Sequence, residues 1–389
     1  MKIAATFHSN APWAATGYGT QTKQLVTRMI SDGHAIAVAA NYGLEATITE
    51  WDGITVYPRG YDVWNNDVVG PYFDEWSAQH SGYKAMQFTL FDVWVLNSPR
   101  FDDIPTASWV PIDHLPAPPA VVDFLKKPTV TPIAMSKFGR DMIRNAGLDC
   151  EYVPHGIETS VFKPTARVDI GGRRMTGREI MGIDESAYVV GAFNANKGTS
   201  PSRKAWAENI LAFSIFARNH SDAVLYLHTD RHGAMGGLKL DELVRSVGLE
   251  ERQYRFVNQW AYRTGIPQEG VAALMTATDV GLLPTMGEGF GLTAVELQAT
   301  GTKVIVNNFS AQPELVGDGY LVEGQPWWDA SQRAWFNLPM VGSIVEQLEA
   351  AYAAGRGRSQ KAIDFVVKNY DADVVYNDLW RPVLDRLAA

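Results

Sequence analysis

The sequence predicts an α/β protein with two doubly wound, parallel sheets. Short apolar runs alternate with helical stretches in both halves of the chain, and this alternation is typical of parallel strands covered by helices. A length of 389 residues with 46% hydrophobic residues is also sufficient for two domains of ordinary size. Ligands of such sheets bind outside the carboxyl ends of the strands, so two sheets facing each other predict a cleft between two domains.

The predicted strands follow one another regularly in most of the chain. In the first half they are Ile3 to Phe7, Ala35 to Ala40, Met86 to Leu90, Ser108 to Val110 and Thr131 to Met135. In the second half they include Tyr188 to Phe193, Val224 to His228, Tyr254 to Val257 and Val280 to Leu283. Residues 41–84 fit the scheme least well, and we predict one or two irregular βα units with long loops there.

Composition argues against several classes of protein. The net charge of -9 comes without a run of five or more Lys and Arg residues, which disfavours tight, sequence-independent binding to nucleic acid. Cys150 is the single cysteine, so an intramolecular disulfide is excluded and a reducing compartment is expected. The apolar start from Met1 to Phe7 is too short for a signal peptide, and no apolar run predicts a membrane span. We expect a cytoplasmic protein.

The segment Glu288-Gly-Phe-Gly-Leu-Thr-Ala-Val-Glu296 joins a predicted strand to a predicted helix. Gly289 and Gly291 are unsuited to a helix interior, so the chain should turn there and the helix should begin near Leu292. The N–H groups and positive dipole of a helix start suit a phosphate, while Glu288 and Glu296 can accept hydrogen bonds from sugar hydroxyls. A Gly-x-Gly turn without a ligand is the alternative, but the whole segment favours a sugar-nucleotide site.

Three cations, Lys197, Arg203 and Lys204, lie between the first strand of the second half and the following helix. Positive charges at a helix start oppose its dipole, so an anionic ligand such as a diphosphate is the expected compensation. A solvated basic loop is the alternative interpretation.

The segment from Glu288 to Glu296 resembles the E-x7-E signature of glycosyltransferase family 4, the retaining sugar-nucleotide transferases of the GT-B fold. The resemblance covers most of the chain, because Tyr152 to Ile157 and Phe162 to Pro164 look like the family's interdomain connection. It implies two Rossmann-like domains that face each other across a cleft. The acceptor-side domain would comprise residues 1–165, rejoined by a C-terminal helix at about 371–389, and the nucleotide-sugar domain residues 166–370.

The resemblance also implies which residues bind the donor. In the family an Arg and a Lys hold the diphosphate, but Asn194 stands where many relatives begin an R-x-x-x-x-K pattern. The choice among Lys197, Arg203 and Lys204 therefore stays open, and we favour Arg203 with Lys204.

Other donor contacts are expected from the loop and helix around the E-x7-E segment and from a base pocket. Glu288 would hold the sugar hydroxyls as a catalytic residue, and Glu296 would hold the ribose. An aromatic ring beside an amide suits a nucleobase. The remaining expected donor contacts are Gly289, Phe290, Gly291, Leu292, Asn258 and Trp260.

In the first domain, the resemblance assigns roles to residues at the ends of predicted strands. The loop with Gly17 and Gly19 would close over the diphosphate; it is not a nicotinamide fingerprint, since the third glycine of G-x-G-x-x-G is missing. His114 corresponds to a family histidine near the donor sugar, and Asp113 would orient its imidazole or bind acceptor hydroxyls. The expected acceptor-side residues are His8, Asp92 and Asp113.

The expected activity is the retaining transfer of a sugar from a UDP-, GDP- or ADP-sugar, with no cofactor and no metal. Lys and Arg would stabilise the leaving group in place of a metal ion. A carbohydrate, protein, lipid or nucleic acid acceptor is equally compatible with the sequence, and the oligomeric state stays unassigned. The alternatives are a nucleotide-sugar epimerase, a DNA-base glycosyltransferase on the same fold and a non-catalytic nucleotide-sugar-binding protein.

Overall fold

The computed structural model describes residues 1–389, which divide into two compact units. The first unit contains Met1–Gly156, Asp329–Ala334 and Ala372–Ala389, and the second contains Ile157–Trp328 and Trp335–Asp371. The division therefore falls between Gly156 and Ile157, earlier than the boundary after residue 165 that the sequence suggested. The sequence also gave no indication that Asp329–Ala334 would belong to the first unit.

An eight-stranded sheet forms the centre of the first unit. Its strands are β1 Ile3–Asn10, β2 Ala35–Tyr42, β3 Thr49–Trp51, β4 Ile54–Tyr57, β5 Lys84–Leu90, β6 Thr106–Val110, β7 Val130–Ala134 and β8 Glu151–Tyr152. The helices between them are α1 Gly17–Ser31, α2 Val69–Gln79, α3 Pro119–Leu125 and α4 Lys137–Asn145. The strand order is β3-β4-β2-β1-β5-β6-β7-β8. β1 is buried along nearly all of its length, as expected for a parallel strand covered on both faces.

Residues 41–84 are more regular than the sequence predicted. β3 and β4 pair as an antiparallel hairpin, and β4 also pairs with β2 in parallel. Helix α2 follows and packs its buried Trp76 close to the sheet, where the indole N–H donates to the carbonyl of Ala35 at 3.1 Å. The sheet is therefore mixed at this edge and parallel elsewhere.

The second unit begins with a small antiparallel hairpin and continues with a six-stranded parallel sheet. The hairpin strands are β9 Val168–Ile170 and β10 Arg173–Met175. The sheet strands are β11 Tyr188–Ala192, β12 Ala223–Leu227, β13 Tyr254–Phe256, β14 Val280–Leu282, β15 Lys303–Asn307 and β16 Gly319–Val322. The helices are α5 Gly177–Met181, α6 Trp206–Phe216, α7 Leu240–Ser246, α8 Gln259–Thr264, α9 Gln268–Thr276, α10 Leu292–Ala299, α11 Val341–Ala353 and α12 Gln360–Tyr370.

A second hairpin, β17 Gly324–Asp329 and β18 Ala334–Pro339, was not predicted from the sequence. One of its faces packs Trp327 and Phe336 against Ala205 and Met286. The residues between the two strands belong to the first unit.

The strand orders place a topological switch point in each sheet. In the second unit the order is β13-β12-β11-β14-β15-β16, so the direction of winding reverses between β11 and β14. In the first unit the same reversal occurs between β1 and β5. Open α/β sheets bind ligands in the crevice outside the carboxyl ends of the strands at such points. The loops after β11 and β14, and after β1 and β5, are therefore the places to look for function.

The C-terminal segment is part of the first unit and is fixed there by ion pairs. It consists of α13 Ala372–Val375, a π-helix Tyr376–Trp380 and α14 Arg381–Ala388. Arg381 and the Tyr376 hydroxyl both donate to Asp32, at 2.7 and 2.9 Å, and the guanidinium holds the pKa of Asp32 at about 2. Arg386 donates to Glu151 at 2.8 Å. None of the helices combines the length and the apolar character needed to cross a bilayer.

We expect Gly19→Ala to destabilise the protein by about 2 kcal/mol, because the new methyl group has no space. A Cβ at Gly19 would lie 2.3 Å from the Ala14 carbonyl oxygen and 2.9 Å from that of Ala11, both of them backbone atoms. Gly342, near the start of α11, has no atom within 4 Å of its Cβ position, so Gly342→Ala should stabilise by up to about 1 kcal/mol. Urea denaturation of both variants tests this, and equal effects would contradict it.

Candidate functional site

Three charged side chains meet at the switch point of the second unit. Arg203 and Lys204 end the loop after β11, and Glu288 lies in the loop between β14 and α10. Arg203 Nη1 donates to Glu288 Oε2 at 3.1 Å, and Lys204 Nζ donates to Glu288 Oε1. The exposed fractions of these side chains are 36%, 17% and 12% respectively, so the carboxylate is the most enclosed of the three.

Backbone and amide hydrogen bonds fix the two loops to each other. The Met286 N–H donates to the carbonyl of Arg203 at 2.8 Å. Asn209, on α6, donates through Nδ2 to the carbonyls of Pro284 at 2.8 Å and Lys204 at 3.2 Å. The backbone segments that carry the charged groups are therefore held in one connected frame.

Side chains after β15 support the same loop, and they were not predicted from the sequence. The Glu288 N–H donates to Ser310 Oγ at 2.9 Å, and the Thr285 N–H donates to Gln312 Oε1 at 3.3 Å. Asn307, the last residue of β15, donates to the carbonyl of Thr285 at 2.8 Å. β15 pairs with β14 in parallel, so its carboxyl end reaches the same edge of the sheet. Functional residues of open α/β sheets follow the carboxyl ends of the strands, so the residues after β15 could have been selected from the sequence on this basis.

Glu288 supplies the negative charge that the basic helix start requires. Ala205, which precedes α6, has a left-handed backbone (φ 49°) and offers no side-chain cap, so the positive helix start lies beside Arg203 and Lys204. The sequence predicted an anionic ligand as the compensation, and in this structure the compensating anion is a carboxylate of the protein. Lys197 is exposed and makes no ion pair, so the structure groups only two of the three predicted cations.

The pKa of Glu288 shows that the two cations outweigh the cost of its burial. Burial alone would raise the pKa of this carboxyl, but the charges of Lys204 and Arg203 and the hydrogen bond from Lys204 hold it at about 2. Glu288 is therefore ionised throughout the physiological range.

The N–H groups at the start of α10 are open to a hydrogen-bond acceptor. Gly291 precedes the helix with a left-handed backbone (φ 119°), and no side chain caps the helix. This conformation requires glycine, and the first N–H groups of the helix, beginning with Leu292, are available to a ligand. Phe290 is buried and its ring packs on Tyr370 at 5.6 Å, so at Phe290 and the buried Gly289 a donor contact would have to come from the backbone.

Glu296 lies in the second turn of α10 and has no hydrogen bond or ion pair. Its side chain is partly exposed, yet burial of the carboxyl raises its pKa to about 7. A carboxylate that lacks partners at a helix start of this kind is suited to accept hydrogen bonds from a ligand hydroxyl.

Asn258 and Trp260 lie at the carboxyl end of β13. Asn258 caps α8, because its Oδ1 accepts from the Ala261 N–H at 3.0 Å. Trp260 is 78% exposed on α8. The amide oxygen of Asn258 is thus engaged in capping α8. The exposed indole of Trp260 remains accessible to a nucleobase.

In the first unit, His114 lies between two carboxylates. Its Nδ1 is 2.7 Å from Asp113 Oδ1, and its Nε2 is 3.2 Å from Asp329 Oδ2. Asp329 also accepts through Oδ1 from the N–H and hydroxyl of Ser331, at 2.8 and 2.7 Å, and these bonds lower its pKa although burial opposes them. Asp113 thus contacts the imidazole. Asp329 was missed, since no local pattern connects a hairpin tip to a distant histidine.

His8 and Asp92 lie beside the switch point of the first unit. His8 is fully buried near the end of β1, its ring lies 4.8 Å from that of Phe91, and burial lowers its pKa to about 4. Asp92 is exposed and precedes the short 3-10 helix Val93–Val95.

The glycines after β1 belong to a helix, whereas the sequence placed them in a loop. Gly17 and Gly19 are the first and third residues of α1. The Gly19 N–H donates to Thr16 Oγ at 3.0 Å, so the cap of the helix already occupies this donor. The close approach of Gly19 to the carbonyls of Ala11 and Ala14 explains why a glycine is needed there.

No group of three or more His, Cys, Asp or Glu side chains is arranged to hold a metal ion. The sequence does contain one Asp-x-Asp, at Asp371-Ala-Asp373. Asp371 accepts from the hydroxyl of Thr159 and Asp373 pairs with Arg28 at 2.7 Å, and the two aspartates belong to different units.

Residues 185–333 match the family model described as "Glycosyl transferases group 1". The D-inositol 3-phosphate glycosyltransferase of Streptomyces griseus is 32% identical over 31% of this chain and 26% of its own length. The lipopolysaccharide core biosynthesis mannosyltransferase LpsB of Rhizobium meliloti is 29% identical over 42% of both chains. The chain thus spans less than half the length of each of these curated relatives.

Solved structures resemble the whole chain. Sucrose-phosphate synthase from Thermosynechococcus elongatus superposes with a TM-score of 0.73 at 16% identity, covering 99% of this chain and 100% of that one. Anabaena HepE in complex with UDP superposes with a TM-score of 0.63 at 14% identity, covering 99% and 100%. Identities this low show the fold alone, and they confirm the predicted GT-B fold.

We expect Glu288→Gln to lower the free energy of unfolding by about 1–3 kcal/mol at pH 7, since it leaves two cations without their anion. A carboxyl with a lowered pKa stabilises the fold above its unfolded pKa, near 4.5, and loses this contribution as the pH falls toward about 2. The difference from the wild type should therefore shrink between pH 5 and pH 3. Urea denaturation against pH tests this, with the exposed Glu346→Gln as control; a constant difference would contradict it.

We expect Glu296→Gln to have the opposite pH dependence. A carboxyl whose pKa is raised to about 7 costs stability where it must ionise, so the cost is absent near pH 4.5 and complete above pH 7. The variant should match the wild type at pH 5 and exceed it by about 1–3 kcal/mol at pH 8. The same titration measures this, and a variant less stable than the wild type at pH 8 would show that Glu296 has a stabilising partner.

Proposed function

We propose that this chain, whose residues 185–333 match the family model of the group 1 glycosyltransferases, transfers a sugar from a nucleoside diphosphate sugar to an acceptor, with retention at the anomeric carbon and without a metal ion. The contact of Arg203 and Lys204 with Glu288 at the switch point, beside the uncapped start of α10, carries this proposal. It supplies two cations for a diphosphate and a carboxylate for a sugar within one frame.

Donor binding in this proposal exchanges one anion for another. Arg203 and Lys204 now neutralise Glu288; a diphosphate would take over these cations, with the uncapped N–H groups at the start of α10 as additional donors. The released Glu288 could then accept hydrogen bonds from sugar hydroxyls. Because the cations are already ordered by Glu288, the diphosphate would meet a site that needs little reorganisation.

The nucleoside half of the donor would be held by α10 and the loop after β13. Glu296 has no partner in the structure and would accept from the ribose hydroxyls. The exposed indole of Trp260 offers a face on which a base can stack. A hydroxyl donates a stronger hydrogen bond to the ionised form of a carboxyl group than to its neutral form, so donor binding should favour ionised Glu296 and lower its pKa.

In the proposed reaction the bond between the anomeric carbon and the diphosphate oxygen breaks, and the electron pair leaves with the nucleoside diphosphate. The acceptor oxygen forms the new bond on the same face of the sugar, and its proton passes to the departing phosphate. Arg203 and Lys204 stabilise the negative charge that develops on the leaving group. No covalent sugar on Glu288 is part of this route, so trapping a glycosyl-enzyme there would contradict retention by same-face attack.

His114 is the proposed catalytic residue of the first unit. Asp113 contacts Nδ1 and would orient the imidazole. Nε2 lies 3.2 Å from Asp329 Oδ2, and it would exchange this contact for a hydrogen bond to an oxygen of the donor sugar.

The donor is identified by a thermal-shift and turnover panel of UDP-, GDP- and ADP-sugars, measured with EDTA present. One donor should raise the melting temperature and be slowly hydrolysed by the wild type. Arg203→Ala should lose at least about tenfold in donor affinity, and Lys239→Ala, which removes an exposed cation elsewhere in this unit, should not.

Loss of turnover in EDTA that Mg²⁺ restores would contradict metal independence. Binding without turnover would favour a nucleotide-sugar-binding protein, and a changed sugar on the nucleotide would identify an epimerase.

We expect Glu288→Gln to separate binding of the diphosphate from binding of the sugar. The variant removes the carboxylate that competes for Arg203 and Lys204, so its affinity for the free nucleoside diphosphate should equal or exceed that of the wild type. Its turnover of the sugar nucleotide should fall about 100-fold or more. Isothermal titration with the nucleoside diphosphate and initial rates with the donor measure the two effects. A parallel loss of both would assign Glu288 a structural role.

A further inference from the structure

Three exposed aromatic side chains lie at the carboxyl edge of the first-unit sheet. Tyr61 and Trp64 belong to the loop between β4 and α2, and Trp94 to the loop after β5. Tyr61 is fully exposed, Trp64 is 41% exposed and Trp94 is 49% exposed. We call these three residues the aromatic platform.

Polar side chains hold the loop of Tyr61 and Trp64 in one conformation. Asp62 Oδ1 accepts from the Trp64 N–H at 2.8 Å, and Asp67 Oδ2 accepts from the Tyr61 N–H at 2.8 Å. Asn65, whose backbone is left-handed (φ 61°), accepts through Oδ1 from the Gly60 N–H at 2.9 Å. Ligand binding to such a loop costs little ordering entropy.

Asn66 connects this loop to the loop of Trp94. Its Oδ1 accepts from the Asn97 N–H at 2.8 Å, and its Nδ2 donates to the carbonyl of Val95 at 3.2 Å. The two loops that carry the three aromatic residues are thus joined by hydrogen bonds.

The platform adjoins the switch point of the first unit. The ring of Trp64 contacts Phe91 edge to face at 6.1 Å, and Phe91 contacts His8 on its other side at 4.8 Å. The backbone of Trp64 also interacts with the buried imidazole of His8. Trp64 is thus held at the switch point through both its ring and its backbone.

The charge of the two loops decides the class of this ligand. Residues 58–68 and 91–97 contain three carboxylates, those of Asp62, Asp67 and Asp92, and one cation, Arg59. Arg59 pairs with Glu45 at 3.5 Å. Anionic lipids and nucleic-acid backbones are attracted by clusters of Lys and Arg, which these loops lack. A neutral ligand with both an apolar face and hydroxyl groups fits aromatic rings beside carboxylates and amides.

We propose that the aromatic platform binds a neutral saccharide and that the acceptor of the transfer is therefore a carbohydrate. The C–H face of a sugar ring stacks on Trp64 and Trp94, and its hydroxyls reach the exposed carboxylates of Asp67 and Asp92. The identification of this saccharide as the acceptor rests on the proposed transferase function, but saccharide binding by the platform does not.

The experiment measures binding of neutral gluco-, manno- and galacto-oligosaccharides to the full chain by intrinsic tryptophan fluorescence and by saturation-transfer NMR. One of these series should bind, and Trp64→Ala and Trp94→Ala should each weaken it at least tenfold. Tyr61→Ala, which removes a fully exposed side chain and leaves the fold intact, should weaken it by a smaller factor. Tyr83→Ala is the matched control, since Tyr83 is a 37% exposed aromatic before β5, at the opposite edge of the same sheet.

Donor hydrolysis separates this inference from the proposed function. The platform variants should hydrolyse the donor within about twofold of the wild-type rate while losing transfer to the saccharide. Saccharide binding without any donor turnover would leave the platform in place and remove the transferase. Absence of binding by all three series, or equal binding by the variants, would overturn the platform. Binding to anionic phosphatidylglycerol vesicles, or dimerisation, that Trp64→Ala abolishes would overturn it in favour of a membrane or a second copy.

Discussion

The contact of Glu288 with Arg203 and Lys204 is the interaction on which the chemistry of the second unit depends. Two cations at an uncapped helix start are unfavourable by themselves, and the buried carboxylate is unfavourable without them. Together they form an ordered group with one excess positive charge at the switch point of the sheet. In the proposed function, this carboxylate keeps the diphosphate site assembled until a more strongly charged anion takes its place.

Sequence reasoning found the parts of this site that depend on local pattern. Strand ends and glycines placed Arg203, Lys204 and Glu288 at one edge, because parallel strands bring their carboxyl ends together. It did not place Asp329 beside His114, since that contact depends on how an unpredicted hairpin folds. It also placed Gly17 and Gly19 in a loop, because the effect of Thr16 as a helix cap was not recognised.

The loops at the two switch points differ in chemistry, although the winding reverses in both sheets. At the switch point of the second unit the loops carry cations and an open helix start. At that of the first unit they carry carboxylates, amides and exposed aromatic rings, and the start of α1 is capped by Thr16. The acidic total charge of the chain is therefore the sum of unlike local environments, which the composition alone could not show.

The first unit is assembled from three separate segments of the chain, and this affects its synthesis. The residues up to Gly156 leave the ribosome early, but Asp32 and Glu151 lack their arginine partners until Ala372–Ala389 have been made. Residues 1–156 of the first unit therefore remain incompletely packed while the second unit is translated and folds. During that interval the surface later covered by the C-terminal segment is open to chaperones and to proteases, so Ala372–Ala389 complete a fold that began before the second unit was made.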